Sequence, residues 1–236
     1  MTDASREWWL DELAHAGAEH LDREYVEGYE RKAGYDPLPD VEALQRNGLT
    51  TDSVVVDLGA GTGVFAIAAA ALCRQVIAVD VSPAMTAMLR SRLLQLGVDN
   101  VTVVQGGFLS YEHHGAPADF VFSRNALHQV PDFWKAIALT RAAALLRPGG
   151  VMRLKDLVFD FEPSDADAKI AAWLSGAVDD PARGWTAAEL AEHVRLEYST
   201  YSWIFEPMIE RCGFEIVDRE YVRSAYGTYT CLLRAA

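Results

Sequence analysis

The segment Asp57-Leu58-Gly59-Ala60-Gly61-Thr62-Gly63 limits what this chain can fold into more than any other. It sets three glycines at alternate positions between a β-branched apolar run and an alanine-rich stretch. Glycine suits a place where a strand turns sharply into a helix and where a ligand must approach the backbone. Ser53 to Asp57 reads as the strand and Val64 to Leu72 as the helix. A second apolar run, Gln75 to Asp80, ends in an acid, and a carboxylate in that place can accept both hydroxyls of a ribose. Glycine turns also occur in α/β proteins that bind nothing; the acid ending the next strand makes this one read as a nucleoside site. The fingerprint Gly-x-Gly-x-x-Gly of nicotinamide sites fits poorly, because Gly63 falls one position early.

The alternation continues along the chain. Ala84 to Leu96 reads as a helix, Val101 to Gln105 and Asp119 to Ser123 as strands three and four, and Phe133 to Leu145 as the next helix. Pro148-Gly149-Gly150 turns into a fifth strand, Val151 to Leu157. Continuous apolar strands separated by helices imply a parallel sheet buried on both faces. Phe214 to Val222 and Tyr226 to Leu233 read as a terminal hairpin, which makes the last strand antiparallel and the sheet seven-stranded.

Two segments lie outside this pattern. In residues 1–48, apolar positions at helical spacing (Trp9, Leu13, Ala16, then Leu21, Tyr25, Tyr29) predict two helices over Arg6 to Tyr35, broken near Gly17. Asp36-Pro37-Leu38-Pro39 ends that stretch, and a short helix over Val41 to Asn47 is closed by Gly48. Within 49–236, an insertion at about 163–200 reads as two helices. One starts at Ser164 as N-cap and the other at Thr186, where Glu189 three residues on has capping-box spacing. Tyr201 to Arg211 is a further helix, stopped by Gly213.

Charge and composition exclude several classes of partner. The 236 residues carry a formal net charge of −13 with no cluster of Lys and Arg, so no nucleic-acid partner is expected. Cys73, Cys212 and Cys231 form no Cys-x-x-Cys pair and read as reduced thiols of a cytoplasmic protein. The longest apolar run, around Val64 to Cys73, is short of the roughly 20 residues that span a bilayer, and no secretory signal opens the chain. No membrane association is expected.

Asp57 to Gly63 resembles the first motif of the class I S-adenosylmethionine (SAM)-dependent methyltransferases. Val79-Asp80-Val81-Ser82 is similar to their second-strand acid motif, and Leu146-Arg147-Pro148-Gly149-Gly150 to their turn before strand five. Leu127 to Lys135 is similar to a segment in a group of bacterial and archaeal methyltransferases whose substrates are unassigned. The resemblance covers about Ser53 to Leu157. It implies a Rossmann-like α/β fold with helices on both faces of the mostly parallel sheet. Residues 1–48 and the insertion would form a lid, and SAM would be the cofactor for methylation of a small-molecule acceptor.

The resemblance also implies residue roles. The backbone at Gly59, Ala60 and Gly61 would line the methionine portion and ribose, and Asp57 would organise the loop and reach the methionine amino group. Asp80 would bind the ribose hydroxyls, with Val81 against the adenine. Many relatives carry an acid just after strand three for the adenine amino group; here Gly107 stands there, leaving the adenine to backbone groups and Phe108. Tyr29 is the expected lid-side contact. A non-methylating reaction of the same fold, such as cyclisation, and SAM binding without catalysis are the alternatives.

Ser123-Arg124-Asn125-Ala126-Leu127-His128 follows strand four and should face the cofactor, since ligands bind at the carboxyl ends of parallel strands. Ser123 and Arg124 are expected at the cofactor, and Arg124 or Asn125 on the SAM carboxylate or the substrate. His128 is the candidate general base, against a reading in which it caps or packs the following helix. Asp156 is a candidate for a substrate role, against an ordinary ion pair with Lys155 or Arg153. Aromatic residues of the two outer segments would form an apolar or cation-holding pocket, or pack the lid onto the core. His15, His20 and His193 sit on expected helices with no second ligand read at i+3 or i+4, and His113-His114 in a loop, so no metal site is expected. A homodimer is left open.

Overall fold

The computed structural model describes residues 7–234. Seven strands form one sheet in the order β3-β2-β1-β4-β5-β8-β7. They are β1 (Val54–Leu58), β2 (Gln75–Asp80), β3 (Val101–Gln105), β4 (Ala118–Arg124), β5 (Leu146–Phe159), β7 (Phe214–Val222) and β8 (Tyr226–Leu233). A two-residue β6 (Thr200–Tyr201) adds to the far end of β5. β1 to β5 run parallel, and β8 is antiparallel to both β5 and β7. The expected mostly parallel, Rossmann-like sheet is therefore present, with one short strand beyond the seven.

Every residue of β1 is buried, as a strand covered on both faces requires. One face packs against α5 (Asp132–Leu145) and α8 (Ser202–Arg211) through Leu139, Phe205, Ile209 and Tyr229. The other packs against α2 (Leu38–Arg46), α3 (Val64–Ala70) and α4 (Pro83–Leu96) through Leu44, Phe65, Leu89, Phe120 and Phe122. Phe65 stacks on Phe122 with ring centroids 3.6 Å apart, directly beneath the glycine-rich turn. The strand order reverses where β1 lies between β2 and β4, and a crevice opens there outside the carboxyl ends.

The first of the two predicted N-terminal helices does not form; its expected start, Arg6, lies outside the described residues. Short 3₁₀ turns at Leu13–His15 and Ala18–Leu21 take its place, and only α1 (Arg23–Ala33) is an α-helix. Tertiary contacts override the periodicity: Glu12 is drawn inward onto Leu109 and Ser110, and Trp8 and Trp9 lie on Trp134. In the insertion, α6 (Ala166–Leu174) and α7 (Ala187–Leu196) bear out two helices. Thr186 and Glu189 form the reciprocal capping box, but Ser164 falls inside a 3₁₀ turn and α6 begins after Asp165 instead.

The candidate cofactor and acceptor site

The glycine turn and Asp80 form one unit. Gly59 and Ala60 donate their backbone N–H groups to the Val79 carbonyl, folding the loop back over β2. Gly59 has φ +76°, and a Cβ on it would lie 2.4 Å from the Ala126 Cβ, so the turn after β4 reserves that position for glycine. The Gly61 N–H donates to Asp80 Oδ2 at 2.7 Å and the Ser82 N–H to Oδ1 at 2.8 Å. Those two bonds hold the buried carboxylate with lone pairs left for a ligand.

Asp57 lies beside it, buried, with Oδ2 bonded to no group among the described residues. Burial, and then the charge of Asp80, push the Asp57 carboxyl well above the ordinary carboxylate range. Burial also raises Asp80, against the opposing pull of the Ser82 and Gly61 donors. Two buried acids with unused acceptor capacity make the crevice receptive to a ligand carrying positive charge and hydroxyl donors.

The crevice is lined by Gly59, Gly61, Asp80, Val81, Gly107, Phe108 and Arg124, and is closed from above by Glu12, His20 and Tyr29. A neighbouring lobe is lined by Asp57, Ala60, Thr62, Tyr29 and Arg124. Most of the predicted cofactor residues thus meet in one place. Ser123 is the exception: it is buried on the α5 side of β4, against an apolar gap beneath Phe108, because alternate residues of a strand face opposite ways. Arg124 stacks on Tyr35 with its guanidinium carbon 3.9 Å from the ring centroid, and its Nε has no partner among the described residues. Asn125 follows at φ +49°, its Oδ1 likewise unbonded. Strain and unused polar atoms at a strand's carboxyl end are marks of a ligand site.

Nothing in the residue pattern pointed to Glu12. Its carboxylate is buried against Gly107, accepting the Leu109 N–H at 2.9 Å and the Ser110 hydroxyl at 2.8 Å. A Cβ on Gly107 would lie 2.4 Å from Glu12 Oε1, so the missing acid at 107 is what makes room for one from the N-terminal segment. Burial raises the Glu12 carboxyl above its usual range, against the lowering effect of its donors.

A model of a methyltransferase domain matches residues 55–150. An uncharacterized methyltransferase of Anoxybacillus flavithermus is 28% identical over 168 residues, 70% of either chain. Phosphoethanolamine N-methyltransferase 2 of Haemonchus contortus, solved with SAM, superposes with TM-score 0.71 at 16% identity. That match covers 96% of this chain and 61% of the other. Magnesium protoporphyrin IX methyltransferase of Synechocystis, with bound SAM, gives TM-score 0.65 at 15% identity over 99% of this chain and 100% of the other. At such identities the two solved structures speak for the fold. Together, the matched domain and these relatives support a class I SAM-dependent methyltransferase.

The polar atoms left unbonded in the crevice fit that cofactor, whose ammonium, sulfonium and ribose hydroxyls match Asp57 and Asp80 in charge and hydrogen bonding. A second cleft in the methyltransferase adjoins the first across Gln129, which lines both. Its walls are Tyr25, Trp185 and Tyr198 together with Glu189, Glu192, His193 and Glu197. The Lys32 ammonium already occupies one end, 4.7 Å from the Trp185 ring centroid and 5.4 Å from that of Tyr25, and ion-paired with Glu189.

His128 lies behind this wall and lines neither cleft. It follows β4 in a 3₁₀ turn (Leu127–Gln129), fully enclosed, with Nδ1 bonded to Asp156 Oδ1 and Nε2 3.2 Å from Glu197 Oε2. Asp156 also accepts the N–H groups of Leu127 and Leu157, and so pairs with neither Lys155 nor Arg153. Arg153 instead reaches Asp40 at 3.2 Å. Burial alone would lower the proton affinity of His128, but Asp156 and Glu197 outweigh it and push the imidazole up to about 10. Glu197, raised by burial, is held below the usual carboxylate range by His128 and His193. His193 and Glu197 are i and i+4 on α7 and just past its end, and both turn toward His128. This corrects the expectation that His193 has no second ligand-type residue at i+3 or i+4: Glu197 stands at i+4, a spacing legible in the sequence.

No helix among the described residues is long and apolar enough to cross a membrane. The three cysteines are free thiols.

Proposed function

We propose that the acceptor is a small molecule bearing an amine or other cationic group, held in the second cleft and methylated across its boundary with the first. The observation that carries this reading is the Lys32 ammonium, which already rests on two aromatic rings beside a carboxylate. Rings and acids of that kind attract organic cations, at about 0.5–2 kcal/mol per ring. Residues 1–48 and the insertion at about 163–200 act as the lid in this reading, since Tyr25, Tyr29, Trp185 and Glu197 come from them. The net charge of −13 speaks against a nucleic-acid acceptor, and the free thiols favour a cytoplasmic location.

SAM supplies an activated methyl group, so the chain's task is alignment and exclusion of water, which can supply about 7–11 kcal/mol. Asp80 takes the ribose hydroxyls, and Asp57 with the backbone of Gly59, Ala60 and Gly61 takes the methionine end. Arg124 and Asn125 serve its carboxylate. Val81, Gly107, Phe108 and Glu12 enclose the adenine, Tyr29 faces the cofactor from the lid side, and Gln129 stands where the two clefts meet. Ser123 supports the floor. His128 and Asp156 manage charge at the acceptor. With both ring nitrogens on carboxylates, His128 holds Glu197 ionised and aimed into the cleft. It accepts a proton from the acceptor only if Glu197 leaves Nε2.

The test is release of S-adenosylhomocysteine from SAM with matched amine, hydroxyl and carboxylic acid acceptors. Amines should turn over, and Trp185→Ala should raise their KM about 5–30-fold with SAM affinity unchanged. Turnover confined to neutral or anionic acceptors would overturn the assignment of the cleft.

A further inference from the structure

The geometry points to a divalent transition-metal site formed by His128, His193 and Glu197 at the inner end of the acceptor cleft. One nitrogen of each imidazole and a Glu197 oxygen all lie within 4.8 Å of one another. His128 Nε2 stands 3.2 Å from Glu197 Oε2, and a ring nitrogen of His193 bonds the same oxygen directly. Ligands at about 2.0–2.2 Å from a tetrahedral ion are spaced roughly 3.3–3.5 Å apart, so small side-chain movements open the trio around one ion.

The outer groups are those a metal site requires. Asp156 accepts the Nδ1–H of His128, which leaves Nε2 as the nitrogen that faces the trio and takes the ion once its proton is displaced. Gln129 donates to the other Glu197 oxygen at 3.0 Å, and Trp185 sets its ring edgewise to His193 at 5.6 Å. Once the His128 proton is displaced, Asp156 and Glu197 put two negative charges in an enclosed place, and one divalent cation cancels both. Three protein ligands leave a coordination position open, and His193 and Glu197 present it to the cleft they line. Two imidazoles and one carboxylate select zinc, cobalt or a similar ion over magnesium or calcium, which prefer all-oxygen shells. Glu192 remains for a cationic acceptor. The inference is independent of the acceptor's identity.

Cobalt(II) and zinc titrations of tag-free, chelator-treated full-length protein test it, read by calorimetry and by cobalt d–d absorption without any turnover. One equivalent should bind, with a tetrahedral or five-coordinate cobalt spectrum. His193→Ala and Glu197→Gln, both at the cleft rim, should each weaken it at least about 100-fold, and Asp156→Asn about 10–100-fold. The surface pair His113→Ala and His114→Ala should leave binding unchanged, and circular dichroism would show that the variants fold. Absence of stoichiometric binding in the wild-type protein would overturn the inference. So would binding that survives the His193→Ala, Glu197→Gln double variant, which would leave the trio a hydrogen-bonded clasp on α7.

Discussion

Asp80→Asn probes the nucleoside end of the cofactor site. The carboxylate accepts Gly61 at 2.7 Å and Ser82 at 2.8 Å, and its remaining lone pairs face the crevice. Asparagine keeps the volume and one oxygen but turns an amide NH₂ toward one of those backbone donors. A hydrogen bond to a charged group contributes roughly 1.5–3 kcal/mol, so two weakened ribose bonds lower SAM affinity by about 3–6 kcal/mol, or 10²–10⁴-fold. The retained oxygen places the expectation near the lower figure. Calorimetric titration with SAM and S-adenosylhomocysteine reads it.

Apo stability moves differently. The folded pKa values of Asp57 and Asp80 both lie above their unfolded values. Their contribution to stability is therefore complete below about pH 4 and is lost as pH rises through the folded values. Removing one charge of the pair lessens that loss, while the unpaired backbone N–H costs about 1–3 kcal/mol at every pH. Urea unfolding of the apo protein between about pH 5 and 8 should thus show a lower but flatter profile for the variant. A SAM affinity within about threefold of wild type, or an unflattened profile, would refute the reasoning.

Gly107→Ala places a methyl group 2.4 Å from Glu12 Oε1 and 2.6 Å from Val81 Cγ1. It should expel Glu12 and lower stability by about 1–3 kcal/mol through the lost bonds to Leu109 and Ser110. Equal urea midpoints for wild type and variant would show that Glu12 does not need the space. Phe122→Ala removes the ring stacked on Phe65 under the glycine turn and should lower stability by about 3–5 kcal/mol, read in the same assay.

Much of this protein was legible along the chain because the decisive groups are sequence neighbours of a strand end. Asp57 to Gly63 and Asp80 are set by local rules: a strand terminates, a turn needs glycine, and the next strand's last residue points at the same ligand. The continuous apolar runs at β1 and β2 announce a doubly covered parallel sheet for a similarly local reason. Capping is local too, which is why Thr186 and Glu189 were readable.

Tertiary structure alone decided the rest. Whether the stretch before Gly17 forms a helix depended on contacts of Trp9 and Glu12 with Trp134, Leu109 and Ser110, which no periodicity encodes. Glu12 and Gly107, far apart along the chain, meet to form one feature of the cofactor crevice, and neither residue alone suggests it. His128 looked exposed to chemistry because it follows β4. Only docking of α7 shows that it is walled off between Asp156 and Glu197. Side-chain direction at a strand end, as with Ser123 beside Arg124, is fixed by register against the neighbouring strands. Sequence determines where the backbone must turn and which faces must be buried; the charges that share a cavity are set by how distant segments pack over it.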